Sequence, residues 1–519
     1  MHKIMRLKTF LVALGLFALA LAPAAHALDE ALKVINARPA DLAPIGVDVD
    51  GSGVKAGVLE LRNVAPHVNL PSITTLPSPA WTHAHPTQVA GCIASNHSTY
   101  RGVAPGVGLY SFAMDAYWPT YGDNDVVIGG DWMAANGVKI INNSWGYFPN
   151  YFAPDGQSRP SKYFDWLGNQ KDIIVVSSAG NEGDSGYYTV RSPGDSYNGL
   201  TVGATDPVNV HNQVAYFSSK GPTWDDRIKP DIVAPGAGII TTKLNDEFTS
   251  GLYGSVAGTS FSAPITAGVA AILTEYGAAN SHSTDHKVIK SVMLNSASKD
   301  GGEKPGEIQV RRYDGNLWQS YDPGVEPLDD NMGAGQVNAL AAFVQYQGGE
   351  ALPGIQNATE ISIDPVGWDR EQVTAARAVR YNINQQLQGG SKLTATLVWD
   401  RIMERQSTGG PSYADDFNVL RFADLDLYLM DSSGYLIGTD SLGRVSWSQS
   451  IIDNVEHIYF DLPYDDFYSL LVRNWSDFSE EFALAVWGHP VIVVPLPSTL
   501  MLLAPSLGIL MFIGRRRRA

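Results

Sequence analysis

Gly258-Thr259-Ser260-Phe261-Ser262-Ala263-Pro264 leads directly into Ile265-Thr266-Ala267-Gly268-Val269-Ala270-Ala271-Ile272-Leu273. The second run is apolar, built of small residues and free of charge, which is the pattern of a helix buried on all sides. The first is a glycine-led turn that sets Ser260 at the opening of that helix. Backbone N–H groups there have no intrahelical partner, and the positive end of the helix dipole lies beside them. A serine in that place has an anion site ready beside it. It can also be the plain N-cap of a core helix, and the rest of the chain decides between the two.

Around this stretch, strand-like and helical segments alternate. Residues 54–59, 138–142, 173–177 and 199–204 are short apolar runs that read as buried parallel strands. Helical stretches lie between them, as at 86–94 and 131–136. Strand and helix in alternation predict an α/β domain with a mostly parallel sheet flanked by helices, over residues 46–346. Functional groups are then expected at the carboxyl ends of the strands. Residues 28–45 read as a short lead-in, with no room for a folding pro-domain. Past a Gly- and Pro-bearing linker at 347–354 the period changes to two. Runs near 392–399, 424–429, 456–460, 468–472 and 482–486 predict an all-β sandwich or jelly roll over 355–489.

Composition narrows the setting. A formal charge of −17 disfavours nucleic acid as a partner. The single cysteine, Cys92, excludes an intramolecular disulfide framework and reads as a buried thiol two turns along from His85. Residues 1–27 carry Lys3, Arg6 and Lys8, an apolar run and then Ala25-His26-Ala27, which fits a secretory signal peptide. Residues 490–519 hold Val494-Pro495-Leu496-Pro497, an apolar run and Arg515 to Arg518. Such a run can just span a bilayer, with the arginines on the cytoplasmic side. This end resembles the PEP-CTERM sorting tails of Gram-negative bacteria, although the residue between the prolines is Leu496 rather than an acid. The resemblance implies an exosortase-type processing enzyme as a partner, membrane attachment through the tail before processing, and a cell-surface or secreted destination.

The motifs agree with one another. Val89-Ala90-Gly91 follows His85, and Gly102-Val103-Ala104-Pro105 comes next. Asn143-Ser144-Trp145-Gly146, Ser178-Ala179-Gly180-Asn181 and Phe217-Ser218-Ser219-Lys220-Gly221-Pro222 follow in turn. Lys229-Pro230-Asp231-Ile232-Val233-Ala234-Pro235-Gly236 precedes the Ser260 stretch, and Gly333-Ala334-Gly335-Gln336-Val337-Asn338-Ala339 closes the series. In content and order, over about 300 residues, this resembles the subtilisin-like serine peptidases, the subtilases.

The resemblance implies a serine endopeptidase acting on protein or peptide through an acyl-enzyme. Ser260 is then the nucleophile, His85 its base, and Asn181 an oxyanion donor together with the Ser260 amide. Ser144, Trp145 and Gly146, with Ser178, Ala179 and Gly180, are the strands that pair with substrate. The family places Gly and then His after its base, where this chain has Pro86 and Gln88, and His83 is a second histidine nearby. The family's aspartate position, at the end of the first core strand, holds Glu60, followed by Leu61 and Arg62. A carboxylate is needed there to hold the imidazole's tautomer and stabilise the imidazolium. The reading is therefore a triad with Glu in place of Asp. Its alternative is a weakened or inactive subtilase-fold surface protein that binds peptide or matrix, with Glu60 turned to Arg62. No cofactor is required for the chemistry. Asp424 and Asp426, followed by Asp453-Asn454-Val455-Glu456, resemble the jelly-roll domain of some bacterial subtilases and suggest a structural Ca²⁺ site.

Overall fold

The computed structural model describes residues 26–76, 82–114, 123–149, 152–207, 212–244, 251–351 and 359–491. Nearly all of the expected signal segment and sorting tail lies outside them. Among the described residues no helix is long and apolar enough to cross a membrane.

The sheet that positions the site runs in the order Gln213–Val214, Leu200–Asp206, Ile174–Ser178, Ile140–Asn143, Lys55–Glu60, Gly108–Ala113, Ile73–Thr75. Ile232–Pro235 pairs with Leu200–Asp206, and every pairing except that of Gln213–Val214 is parallel. The chain enters at Lys55–Glu60, passes to one side at Gly108–Ala113, and returns on the other side at Ile140–Asn143. The strand order therefore reverses beside Lys55–Glu60, and such a switch point opens a crevice at the carboxyl ends of the strands. Glu60 ends one of those strands and Ser144 follows the other.

Two helices pack on one another behind this crevice, Ala84–Ala94 and Thr259–Asn280. The second is buried along most of its length because its residues are small. A Cβ added at Gly268 would stand 2.5 Å from Val103 Cβ. Gly91 does the same for the first helix: a Cβ there would meet the Thr241 and Thr242 hydroxyls of the hairpin Ile239–Thr242/Tyr253–Val256.

The 28–45 segment is more than a lead-in. Leu28–Val34 is a helix whose Leu28, Ala31 and Leu32 are buried, as are Ile35 and Leu42 beyond it. Its end is tied to the closing motif, with Ala339 N–H donating to Ile35 O at 2.8 Å. Ahead of it His26–Ala27 pairs in parallel with Ile239–Ile240.

The C-terminal region forms a five-stranded and a four-stranded sheet. Pairings are antiparallel apart from Glu360–Ile363 with Ala378–Ile383. Leu393, Leu397, Trp399, Leu427, Leu470 and Phe482 are buried together in the core of this region. A hairpin, Arg401–Gln406 with Asp416–Phe422, leaves this body and lies on the helix Arg159–Lys171. Its Met403 and Phe417 enter the apolar cluster of Tyr163, Phe164 and Leu167.

Candidate active site

Gly258 precedes the serine helix at φ 147°, a backbone state that a side chain rarely adopts. This turn sets Ser260, half-buried, in the first helical turn. The Ser260 hydroxyl donates to Ser144 O at 3.2 Å, and the Ser144 hydroxyl donates to Ser260 O at 2.9 Å. Asn142 Nδ2 in turn donates to the Ser144 hydroxyl at 2.9 Å. The end of the central strand thus holds the serine from two sides.

Asn181 is oriented by the same helix start. Its Oδ1 accepts from Thr259 N–H at 2.9 Å and from the Thr259 hydroxyl at 3.0 Å. With the oxygen so committed, the amide NH₂ faces away from Thr259 and is left to donate outward. It stands 3.4 Å from where a Cβ on Gly258 would be. The Ser260 N–H lies in the same first turn, where amides lack intrahelical acceptors. Two donors therefore converge on one side of the serine, which suits a developing oxyanion.

On the other side stands His85, in the first turn of its own helix. Pro86 sits one residue on, where a missing N–H costs nothing. The His85 ring lies 5.7 Å, centroid to centroid, from Phe261, the residue after Ser260. Its Nδ1 is 3.5 Å from Glu60 Oε1, an ion-pair distance longer than a tight hydrogen bond. Glu60 is 3% exposed, its Oε1 has no other hydrogen-bond partner among the described residues, and its Oε2 accepts from Leu61 N–H at 3.3 Å. Burial disfavours the charged form of the His85 ring, but the Glu60 carboxylate beside it outweighs this and raises the ring's pKa above the usual 6.5. Arg62 turns away and donates to Leu61 O. His83 is exposed and caps the helix, its Nδ1 accepting from His85 N–H at 3.2 Å. Cys92 is fully buried, which pushes its thiol up to about 12 and leaves it inert.

Comparison with known proteins gives the family. The profile of the subtilase family matches residues 67–322, which include His85, Asn181 and Ser260 and begin after Glu60. Subtilisin DY of Bacillus licheniformis is 31% identical over 238 residues, 44% of this chain and 78% of that protein. The chain belongs to the subtilase family. The serine protease AprX of Bacillus subtilis is 27% identical over 346 residues, 60% of this chain and 70% of AprX. A solved structure of the patellamide maturation protease PatA, 23% identical, covers 57% of this chain and 98% of its own, with a TM-score of 0.45. As a subtilase, the protein is a serine protease whose substrates are proteins or peptides.

In this subtilase both expected substrate strands reach the start of the serine helix. Ser144 bonds with Ser260, and Gly180, after Ser178 and Ala179, bonds with Thr259. Trp145 packs edge-on against Tyr147 at 5.4 Å and faces the apolar cluster of Leu59 and Phe164. Between the strands lie three side chains that sequence reading missed, Phe148, Glu182 and Arg191. Glu182 was in view, directly after Asn181; Arg191 sits in an irregular stretch with no period to mark it.

Of the two expected ion ligands, Asp424 keeps a buried Oδ1 with no hydrogen-bond partner among the described residues. Asp426 Oδ2 accepts from the Tyr428 hydroxyl at 2.7 Å and from Trp475 Nε1 at 2.5 Å. One oxygen of Asp426 is thereby committed, while the Asp424 oxygen is open to a further donor or a cation. Among the described residues, a group of three His, Cys, Asp or Glu side chains close enough to share an ion is Asp172, Asp285 and His286. There Lys139 and Lys287 already neutralise the carboxylates.

Proposed function

We propose that this subtilase is an exported endopeptidase whose catalytic acid is Glu60. Ser260 attacks the scissile carbonyl while His85 takes its proton. The imidazolium that forms is stabilised by the Glu60 carboxylate, which also holds Nδ1–H so that Nε2 is the basic nitrogen. Asn181 Nδ2 and the Ser260 N–H receive the oxyanion. His85 then gives its proton to the leaving amine, and water enters by the reverse path to release the acyl group from Ser260. The substrate chain lies extended between the two strands, whose backbone groups pair with it.

The observation that supports this reading is the buried Glu60 Oε1, free of other donors among the described residues and 3.5 Å from His85 Nδ1. Export is supported by the basic, apolar and small-residue order of residues 1–27, and surface sorting by the tail at 490–519. A second reading, a peptide-binding protein with a weakened site, has one observation in its favour: the Ser260 hydroxyl is given to Ser144 O. A fluorophosphonate that reacts with Ser260, and abolishes peptide hydrolysis in step with labelling, supports the peptidase. Folded protein that neither labels nor cleaves supports the binder.

A further inference from the structure

The recess between the two substrate strands is already occupied. Arg191 N–H donates to Ala179 O at 2.9 Å, and the next residue accepts through its carbonyl from Tyr147 N–H at 2.7 Å. The Arg191 segment therefore bridges the strands on either side of Ser260. Its side chain fills the space between them. A Cβ added at Gly146 would come within 2.8 Å of Arg191 Cβ and 3.3 Å of its Cδ, and one at Gly180 within 2.9 Å of its Cγ. The guanidinium lies against the Phe148 ring, 3.9 Å from the centroid. It grips Glu182 with two nitrogens, Nε to Oε2 at 2.6 Å and Nη2 to Oε1. Glu182 Oε2 also accepts from Asn181 N–H at 3.0 Å, so the pair is joined to the backbone of the oxyanion donor.

We infer that Arg191, held by Glu182, restricts the residue whose carbonyl Ser260 attacks to small side chains: glycine, alanine and serine. This rests on Ser260 being the nucleophile, because the recess beside it then receives that residue's side chain. A large hydrocarbon would have to displace a two-point charge pair that is largely withdrawn from water, leaving both charges poorly solvated. A substrate carboxylate finds the guanidinium already neutralised by Glu182. Removing Arg191 empties the recess for large apolar groups. Glu182→Gln keeps an acceptor for Asn181 N–H and uncovers the Arg191 charge for an acidic one.

The test is the rate at which peptidyl phosphonates modify Ser260, with alanine, phenylalanine or glutamate next to phosphorus. Each protein is normalised to its reaction with a simple fluorophosphonate. The native protein is expected to prefer alanine to phenylalanine by about 10-fold or more, within the range that pocket size confers. Arg191→Ala should raise the phenylalanine-to-alanine ratio, and Glu182→Gln the glutamate-to-alanine ratio, each by about 10-fold. Fluorophosphonate labelling with no preference for alanine in the native protein, or with ratios unchanged in both variants, overturns the inference and leaves the nucleophile standing. Failure of the fluorophosphonate itself overturns both.

Discussion

Glu60 and aspartate differ by one methylene, and the site turns on how that length is absorbed. At the end of a buried strand the longer side chain brings one oxygen to 3.5 Å from His85 and leaves the other on Leu61 N–H. Arg62 does not compete, because its guanidinium is used locally. Glu60 was legible as the acid in register at the end of the first strand. Its choice between His85 and Arg62 was not, since the strand ends at Glu60 and the direction Arg62 takes from the bend that follows is set by the fold, not by strand alternation. Two predictions belong here. The base must be neutral to work, and Glu60 raises its pKa, so kcat/KM should rise with pH through a value above 6.5. In Glu60→Gln that limb should move to lower pH, because burial then acts without the opposing charge; a limb that stays in place counts against the pairing. Asn181→Ala should lower kcat by about 10²–10³, the loss known for such a donor in a subtilisin, with KM little changed. A loss confined to KM would make Asn181 a ground-state contact instead.

The serine helix and the histidine helix could be read from their composition, because a run without charge has no exposed face and must be buried. The helix Leu28–Val34, which carries Asp29, Glu30 and Lys33, showed a different signal, with Leu28, Ala31, Leu32 and Ile35 spaced at i, i+3, i+4 and i+7. Its seven residues are too few to declare themselves without the core they pack on. What the sequence could not show is how closely the histidine helix is pressed by the Ile239–Thr242 strand. The Thr241 and Thr242 hydroxyls donate to Gln88 O and Thr87 O, just beyond His85. A Cβ at Gly91 would lie 2.1 Å from Thr242 Oγ1 and 2.3 Å from Thr241 Oγ1. Gly91→Ala gains about 1 kcal/mol of helix propensity. It should still be destabilising overall, because overpacking costs about 1–3 kcal/mol and both hydroxyls lose their acceptors. A lower melting temperature together with a lower kcat is expected, and a melting temperature that rises would show that the hairpin yields freely.

The two bodies of the molecule are joined by charge as well as by apolar packing. Arg401, at the root of the hairpin, is buried and donates to Asp165 Oδ2 through Nε at 2.9 Å and to Gly156 O at 2.7 Å. Gly156 N–H donates to Asp195 Oδ2, and Asp195 Oδ1 accepts from the Ser161 hydroxyl, itself bonded to the Ser192 hydroxyl beside Arg191. A chain of bonds thus leads from the β sandwich to the wall of the substrate recess. Period-two runs made the sandwich legible, whereas the hairpin's docking was hidden because its partners lie more than two hundred residues away in sequence. Arg401→Met should cost about 3–5 kcal/mol in urea unfolding, because it strands the Asp165 charge. Adding Asp165→Asn should restore most of that, and a double variant as unstable as the single one would place the effect elsewhere. At the same scale, the switch point of the sheet and the two packed helices bring Glu60, His85 and the start of the serine helix together. The rate of Ser260 labelling by a fluorophosphonate in Glu60→Gln, against the native protein near pH 8, tests that most directly. The account predicts a fall of about 10³–10⁴-fold, as when a triad loses its carboxylate; equal rates would contradict it.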